Sequence, residues 1–567
     1  MNPLSKIRIG WLLVAASVLP LFSTGARAQS LSATWNAVTD VPVTSGSYTA
    51  AGNTVTFTLN VTPPTGTTLT VISDTGSAYI TGTFDNLAQG QLVPLTFNGV
   101  TFNFAANYFG GSGKDLTLQW ANNFAFAWGS NTTGQLGDSG TANSPTPVQV
   151  TGSGVLAGKT IDQVSAGQGF SAALTADGSI ATWGDNSLGQ LGDDGAETSS
   201  TAPVLVDSST DSAVNGRTVI AIAAGANHAL SLTSDGAVES WGDNSFGQLG
   251  NSGSTGSLVP VLVDTSTDSA LNGKSVTAIA AGADHSLALS SDGSLEAWGN
   301  NGSGQLGDNG AEVSSTTPVL VDSSSDSALF GKMVTAIAAG ANHSLALCSD
   351  GSIATWGSNA SGQLGNSGSA NSLIPVAVDS STDSALNGKT VVAVSAGTNH
   401  SLALCSDGTI VAWGDNSAGE LGNSGTTSSL VPVGVNQTGA LSGKTVTAIA
   451  AGNNFSLALC SDGSVAAWGD NTFGQLGISG SQANSDVPVA VDSTSFPISP
   501  SVNAPVIAIA AGPQAQTSLA IVAEQGPPVI EVQQPAGVNL VSGSSVVDFG
   551  SLVLGTTNQL TYTVVND

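Results

Sequence analysis

The residues of this chain best able to do chemistry come in matched sets. Four histidines, His228, His285, His343 and His400, could ligate a metal or move a proton. Three cysteines, Cys348, Cys405 and Cys460, could act as thiolates or form a disulfide. Aspartates paired four residues apart, such as Asp207 with Asp211 and Asp379 with Asp383, offer the hard oxygens that calcium takes. The four histidines share one position of a repeat, held by Phe170 and Phe455 in two other copies. A position that accepts His or Phe reads as packing, and ligands spread one per unit rarely converge. The cysteines share a position with Thr175, Thr233 and Ser290, on matching strands of successive units. They read as buried, inert thiols, since matching strands do not bring sulfurs to bridging distance. The aspartate loops lack the alternating Asp-x-Asp-x-Asp-Gly order with a distal Glu, so they read as solvated polar connections, with calcium as the alternative. No G-x-S-x-G, H-E-x-x-H or G-x-x-x-x-G-K-[ST] motif occurs. The reading is non-catalytic: no catalytic residue, no cofactor and no metal site.

What positions these sets is the repeat itself. Seven of the ten tryptophans stand in Trp-Gly-x-Asn: Trp128, Trp183, Trp241, Trp298, Trp356, Trp413 and Trp468, spaced 55 to 58 residues apart. Each is followed by GQLG, or by GELG after Trp413, and seven AAG-type segments interleave with them. In residues 274–299, Val276 to Ala280 is an apolar strand and His285 to Leu289 alternates like a half-buried one. Asp292-Gly293 predicts a two-residue hairpin turn with positive φ at both positions, and Leu295 to Trp298 returns. A fourth strand is expected at Pro318 to Val321. Such a four-stranded unit cannot bury both faces alone, so seven of them read as a seven-bladed β-propeller. Phe124 to Trp128 opens the array without an AAG strand, and Val506 to Ile509 with Ser518 to Val522 ends it without a Trp-Gly strand. These halves are expected to complete one blade and close the ring without a covalent link.

The pattern AAGxxHSLAL, DGxxxxWGxNxxGQLG, PVxV resembles the repeat of the regulator of chromosome condensation family over residues 121–523. That resemblance implies a seven-bladed propeller and, in the members that define it, guanine-nucleotide exchange on a small GTPase with chromatin as partner. Residues 29–120 are Thr-, Val- and Gly-rich with alternating apolar positions, hence a small N-terminal β domain; FNFAANYFGGSGKDLTLQW is similar to the closing segment of repeats in bacterial autotransporter-type surface proteins. Residues 524–567 open on a Gly526-Pro527-Pro528 linker, and Val547-Asp548-Phe549-Gly550 with Gly555 resembles the start of a Hydin-type immunoglobulin-like domain. Such a sandwich needs about 100 residues, so this one reads as incomplete. The fold class is all-β.

Residues 1–28 read as a signal peptide: Lys6 and Arg8, an apolar run from Ile9 to Phe22, then Ala26-Arg27-Ala28 before Gln29, with cleavage between Ala28 and Gln29. An uncleaved anchor is the alternative, though the run is shorter than the roughly 20 residues that span a bilayer. The mature chain then has 39 acids against 7 bases, a net charge of −32. Six of those bases, Lys159, Arg217, Lys274, Lys332, Lys389 and Lys444, each follow a glycine at one repeat position. No basic patch remains to neutralise phosphates, which excludes nucleic acid as a partner.

Export and acidity together argue against nucleotide exchange, since its partners are intracellular. The leading expectation is a secreted or cell-surface scaffold, of bacterial type, that binds an extracellular protein or surface polymer through its propeller loops. Leu188, Phe246 and Phe473, in the variable pair of Trp-Gly-x-Asn-x-x-Gly, are the expected partner-binding anchors; coverage of blade edges is the alternative. A protein inhibitor of an extracellular enzyme is the second expectation. A hydrolase with an acidic pocket on the propeller axis is a third, without an acid–base pair in sequence to support it.

Overall fold

The computed structural model describes residues 30–523, apart from positions 77–78, 112, 122, 196, 311, 481–482, 497, 500–501 and 504, together with three short strands further on. The expected signal peptide and its cleavage point at Ala28 and Gln29 lie outside the described residues. So does the expected immunoglobulin-like segment, except for strands Glu531–Gln533, Asn539–Leu540 and Val564–Val565, which form one small sheet.

The N-terminal unit is β throughout. Strands Ser30–Trp35 and Thr54–Leu59 pair in parallel, and Val43–Ser45, Leu69–Asp74, Asp115–Trp120, Val100–Gly110 and Leu92–Phe97 line up in that order as a second sheet. Trp35, Phe84, Phe104, Tyr108 and Trp120 fill the core between them, with Phe104 and Trp120 edge-to-face at 5.6 Å.

Seven four-stranded antiparallel sheets follow. Their first strands are Ile161–Ala166, Val219–Ala224, Val276–Ala281, Val334–Ala339, Val391–Ala396, Val446–Ala451 and Val506–Ala510. Each neighbours the next in that order, and the last neighbours the first, so the sheets close a ring. The seventh sheet is the expected composite: Val506–Ala510, Thr517–Ala523, Asn123–Gly129 and Ser144–Gln149, with Ser518 opposite Trp128 and Val522 opposite Phe124. Two details differ from the sequence expectation. The fourth strand of the third sheet runs Ser314–Leu320, starting earlier and ending one residue sooner than Pro318 to Val321. The Asp-Gly turn has positive φ at Gly293 (84°) alone. Gly293 N–H donates to Ser290 O and Ser290 N–H to Ser294 O, a three-residue loop in which Asp292 stays on the ordinary side of φ and accepts the Ser294 N–H.

The repeat signature explains how sheets grip one another. Every repeat tryptophan is fully buried, and its indole N–H donates to a backbone carbonyl in the GQLG loop of the preceding sheet: Trp183 to Gln135, Trp241 to Gln190, Trp298 to Gln248, Trp356 to Gln305, Trp413 to Gln363, Trp468 to Glu420. Trp128 to Gln475 completes the circle at 2.9 Å across the chain's two ends. The last glycine of each GQLG sits flat on that indole: a Cβ on Gly250 would stand 2.7 Å from the Trp298 ring, at φ +64°. Only glycine meets both demands.

The two ends of the ring differ. One carries the Asp-Gly hairpins and the long loops from each fourth strand to the next first strand; the other carries the GQLG loops and AAG turns. The N-terminal unit sits on the hairpin end. Gln89 donates to Ala176 O at 2.9 Å, Asn107 Nδ2 to Asp162 Oδ2 at 3.2 Å, and Ile507 and Ala523 join the N-terminal core. At the opposite end, Ala226, Ala283 and Ala341 bury one another around the axis, linked by Ala226 N–H to Ala283 O and Ala283 N–H to Ala341 O.

Candidate functional site

The loops at the GQLG end are built on the side chains of their Asn and of the Gln or Glu of GQLG, joined by an aspartate in three of them. In the loop after Trp241, Asn244 Oδ1 accepts the Leu249 N–H and its amide donates to Asn251, Gly253 and Thr255. Gln248 Oε1 accepts the Phe246 N–H at 2.9 Å while its Nε2 donates to Asp243 at 3.0 Å. The loops after Trp183 and Trp468 repeat this: Gln190 holds Leu188 N–H and reaches Asp185, and Gln475 holds Phe473 N–H and reaches Asp470. The backbone under each apolar residue is therefore fixed before any partner arrives, which lowers the entropy cost of binding.

Of the expected anchors, Leu188 is 45% exposed and Phe246 is 42% exposed, both in the open. Phe473 is half-buried, and its loop glycine, Gly474, lies against Pro145 of the closing sheet. Sequence reading missed Leu258, Leu373 and Leu430, which are exposed at the second position of three fourth strands. Leu258 lies over Gly189, directly beside Leu188, while Leu373 and Leu430 lie over Gly304 and Gly362. Strict alternation puts each Leu on the face of the buried proline two residues on, so their exposure had no signal in the sequence; the pairing of each of these strands carries a register shift. Adjacent sheets thus bring exposed Leu188 and Leu258 to one loop–strand junction.

The chemically tempting sets fall elsewhere. All four histidines are fully buried, and Nε2 of each lies 3.0 Å from a serine hydroxyl in the next sheet: His228 with Ser286, His285 with Ser344, His343 with Ser401, His400 with Ser456. Each serine donates to the same GQLG carbonyl that the tryptophan uses, so the histidine Nε2–H must donate to the hydroxyl. Burial pushes the imidazoles down to about 4 for His228 and His400 and to about 3 for His285 and His343, leaving them neutral at pH 7. The cysteines are free, buried in the inter-sheet cores, with thiols raised by burial.

The first aspartate of each pair is occupied locally. Asp207, Asp264, Asp322 and Asp379 accept the backbone N–H two residues on, at Ser209, Ser266, Ser324 and Ser381. Among the described residues no cluster of three or more His, Cys, Asp or Glu could hold a metal. The periodic bases pair with the hairpin aspartates: Lys159 with Asp177 (2.5 Å), Arg217 with Asp235 (3.2 Å), Lys274 with Asp292 (3.5 Å), Lys332 with Asp350 (3.1 Å), Lys444 with Asp462 (3.3 Å), and Lys389 with Asp407. Each ties an inter-sheet loop to the hairpin beside it. The axial cavity, about 200 Å³, is lined by Gln163, Ser165, Ser395 and apolar residues with no acid among them, so the acidic-pocket expectation finds no support there.

Residues 124–520 match the family model of the RCC1-like domain. The chain is 33% identical over 356 residues to the human E3 ubiquitin-protein ligase HERC2, a stretch that is 62% of this chain and 7% of that protein. It is 31% identical over 370 residues to the Ultraviolet-B receptor UVR8 of Arabidopsis thaliana, 65% of this chain and 78% of that protein. Among solved structures, Prp20p of Saccharomyces cerevisiae superposes with a TM-score of 0.60 at 22% identity, covering 72% of this chain and 92% of that one. Human WBSCR16 does so with 0.59 at 22%, covering 70% and 98%. The two structures share the fold, and the ring of tryptophan, GQLG and AAG contacts accounts for it: the chain belongs to the RCC1-like domain family.

Proposed function

We propose that the chain is an exported, non-catalytic binding scaffold: a seven-bladed propeller whose GQLG-end loops recognise an extracellular protein or a surface polymer. The observation that carries this reading is the pairing of exposed apolar side chains, Leu188, Phe246 and Leu258, with loop backbones already locked by Asn and Gln. Rigid apolar anchors on a polar surface are what interfaces use. Relatives as unlike as a ubiquitin ligase and a light receptor share the domain, which supports recognition rather than one chemistry. Each of the six periodic bases pairs with a hairpin aspartate, which supports a reading without nucleic acid as partner.

The test is affinity capture by the full chain from culture medium and from cell-envelope material, beside a Leu188→Ala/Phe246→Ala variant. Both truncations are at exposed sites, and an unchanged melting curve checks the variant's fold. Loss of the captured species by the variant is expected; equal capture by both would refute the loop assignment.

A further inference from the structure

The repeat is most informative where one copy breaks it. In the loop leading into strand Val334–Ala339, the sequence reads Leu329-Phe330-Gly331-Lys332-Met333. The position of Phe330 is held by Ala157, Asn215, Asn272, Asn387 and Ser442 in the other copies, and that of Met333 by Thr160, Thr218, Ser275, Thr390 and Thr445. Two apolar residues thus replace small, mostly polar ones in a single copy. Met333 is the chain's one methionine besides Met1. Phe330 is 62% exposed and Met333 is 65% exposed.

The loop beneath them is pinned, so this exposure is built in. Leu329 is buried as its counterparts are, and Lys332 N–H donates to Leu329 O. Ala328 N–H donates to Pro375 O, Ser349 N–H donates to Met333 O, and the Lys332 ammonium pairs with Asp350. Phe330 and Met333 could have been polar with no change to any of these bonds. In the adjoining sheet, Val392 is 51% exposed at a position where Thr335 and Thr447 stand in the flanking sheets. All three apolar side chains lie at the hairpin end.

This is also the part of that end the N-terminal unit leaves open. At the second position of the first strands, Asp162, Ile220, Thr277 and Ile507 are half-buried, while Thr335, Val392 and Thr447 are exposed. The surroundings are acidic: residues 314–410 carry six acids, Asp322, Asp326, Asp350, Asp379, Asp383 and Asp407, all in hairpins or inter-sheet loops at this end, against Lys332 and Lys389. Both bases are already held by Asp350 and Asp407.

We infer that Phe330, Met333 and Val392 form a second docking surface, opposite the GQLG loops, for a cationic amphipathic segment of a partner protein. An aromatic and a methionine supply adaptable apolar contact, and the carboxylates that hold no base select Lys or Arg flanking the partner's apolar anchor. This surface is independent of the loop-end reading.

The test uses the full chain and two fluorescent synthetic peptides of about 18 residues, one built from Lys and Leu around a single Trp, the other with Glu replacing Lys. Binding is followed by anisotropy for the wild type, for Phe330→Asn/Met333→Thr, and for Leu188→Ala/Phe246→Ala. The first double variant restores residues used in other copies, and an unchanged melting curve checks its fold. The wild type is expected to bind the Lys peptide, with affinity falling as salt rises, and to ignore the Glu peptide. Phe330→Asn/Met333→Thr is expected to weaken binding roughly ten-fold or more, and Leu188→Ala/Phe246→Ala to leave it unchanged. Absence of binding, equal binding by Phe330→Asn/Met333→Thr, or equal binding of the Glu peptide would overturn the inference. So would sedimentation showing that the patch instead joins two copies of this chain. Loss confined to Leu188→Ala/Phe246→Ala would overturn it too, while leaving the loop-end reading standing.

Discussion

Glu420 is the one carboxylate at a position where the other six sheets use glutamine, and the structure shows what that exchange costs. Its side chain is fully buried, Oε2 accepts the Ala418 N–H at 2.8 Å, and Oε1 has no partner. In the equivalent loops an amide nitrogen occupies that place and donates to a neighbouring oxygen, in three of them an aspartate, as Gln190 does to Asp185. Here the neighbouring group is Asp415, of like charge, and burial with Asp415 beside it raises the Glu420 carboxyl from 4.5 to about 7. The unfolded chain therefore releases this proton from about pH 4.5 upward while the folded ring keeps it until about pH 7. Stability must fall across that interval and level off above it, by about 3 kcal/mol for a displacement of this size. Glu420→Gln removes the titration and restores the missing donor. For a ring of about 400 residues, an unfolding entropy near 2 cal/mol/K per residue converts that energy to roughly 4 °C in Tm. Melting curves of both proteins from pH 4 to pH 8 should show a gap that opens with pH, from little at pH 4 to about 4 °C at pH 8. A gap that is constant, or that closes as pH rises, would refute the reasoning.

Three further outcomes follow from the ring. Deleting residues 121–150 removes strands Asn123–Gly129 and Ser144–Gln149 and the Trp128 bond to Gln475, so the melting transition should collapse or broaden; an unchanged Tm would mean closure contributes nothing. Gly250→Ala drives a Cβ to 2.7 Å from the Trp298 indole at φ +64°, and should cost about 2 kcal/mol or more in denaturant titration. His285→Phe installs the residue found as Phe170 and Phe455 and leaves Ser344 bonded to Gln305 O; it should cost no more than about 1 kcal/mol, where a ligand or base would be lost outright.

The candidate site was less legible than the fold. Leu188 and Phe246 stood out because they vary inside a constant signature, and both are exposed. Phe473 carried the same signal yet is more covered, because its loop abuts the composite seventh sheet, whose fourth strand offers Pro145 where the others offer Thr, Leu or Asp. Leu258 lies 70 residues from Leu188, and only the packing of one sheet's loop on the next sheet's strand sets them side by side.

What the sequence alone determined was the ring. The contacts that make it recur with the repeat, tryptophan to GQLG carbonyl in all seven sheets, serine to the same carbonyl in six and base to hairpin aspartate in six, so periodicity marked the residues that make them. The closing blade was legible too, because its two halves are each missing what the other has. The tertiary structure alone decided what the exceptions mean. Asp162 departs from the repeat because Asn107 of the N-terminal unit bonds it there, and Glu420 departs inside a site shaped for an amide. Phe330, Met333 and Val392 stand on the half of the hairpin end that the N-terminal unit does not cover. A repeat reports what is common to its copies; what is particular to one depends on which neighbour reaches it, and that is set by distance in space.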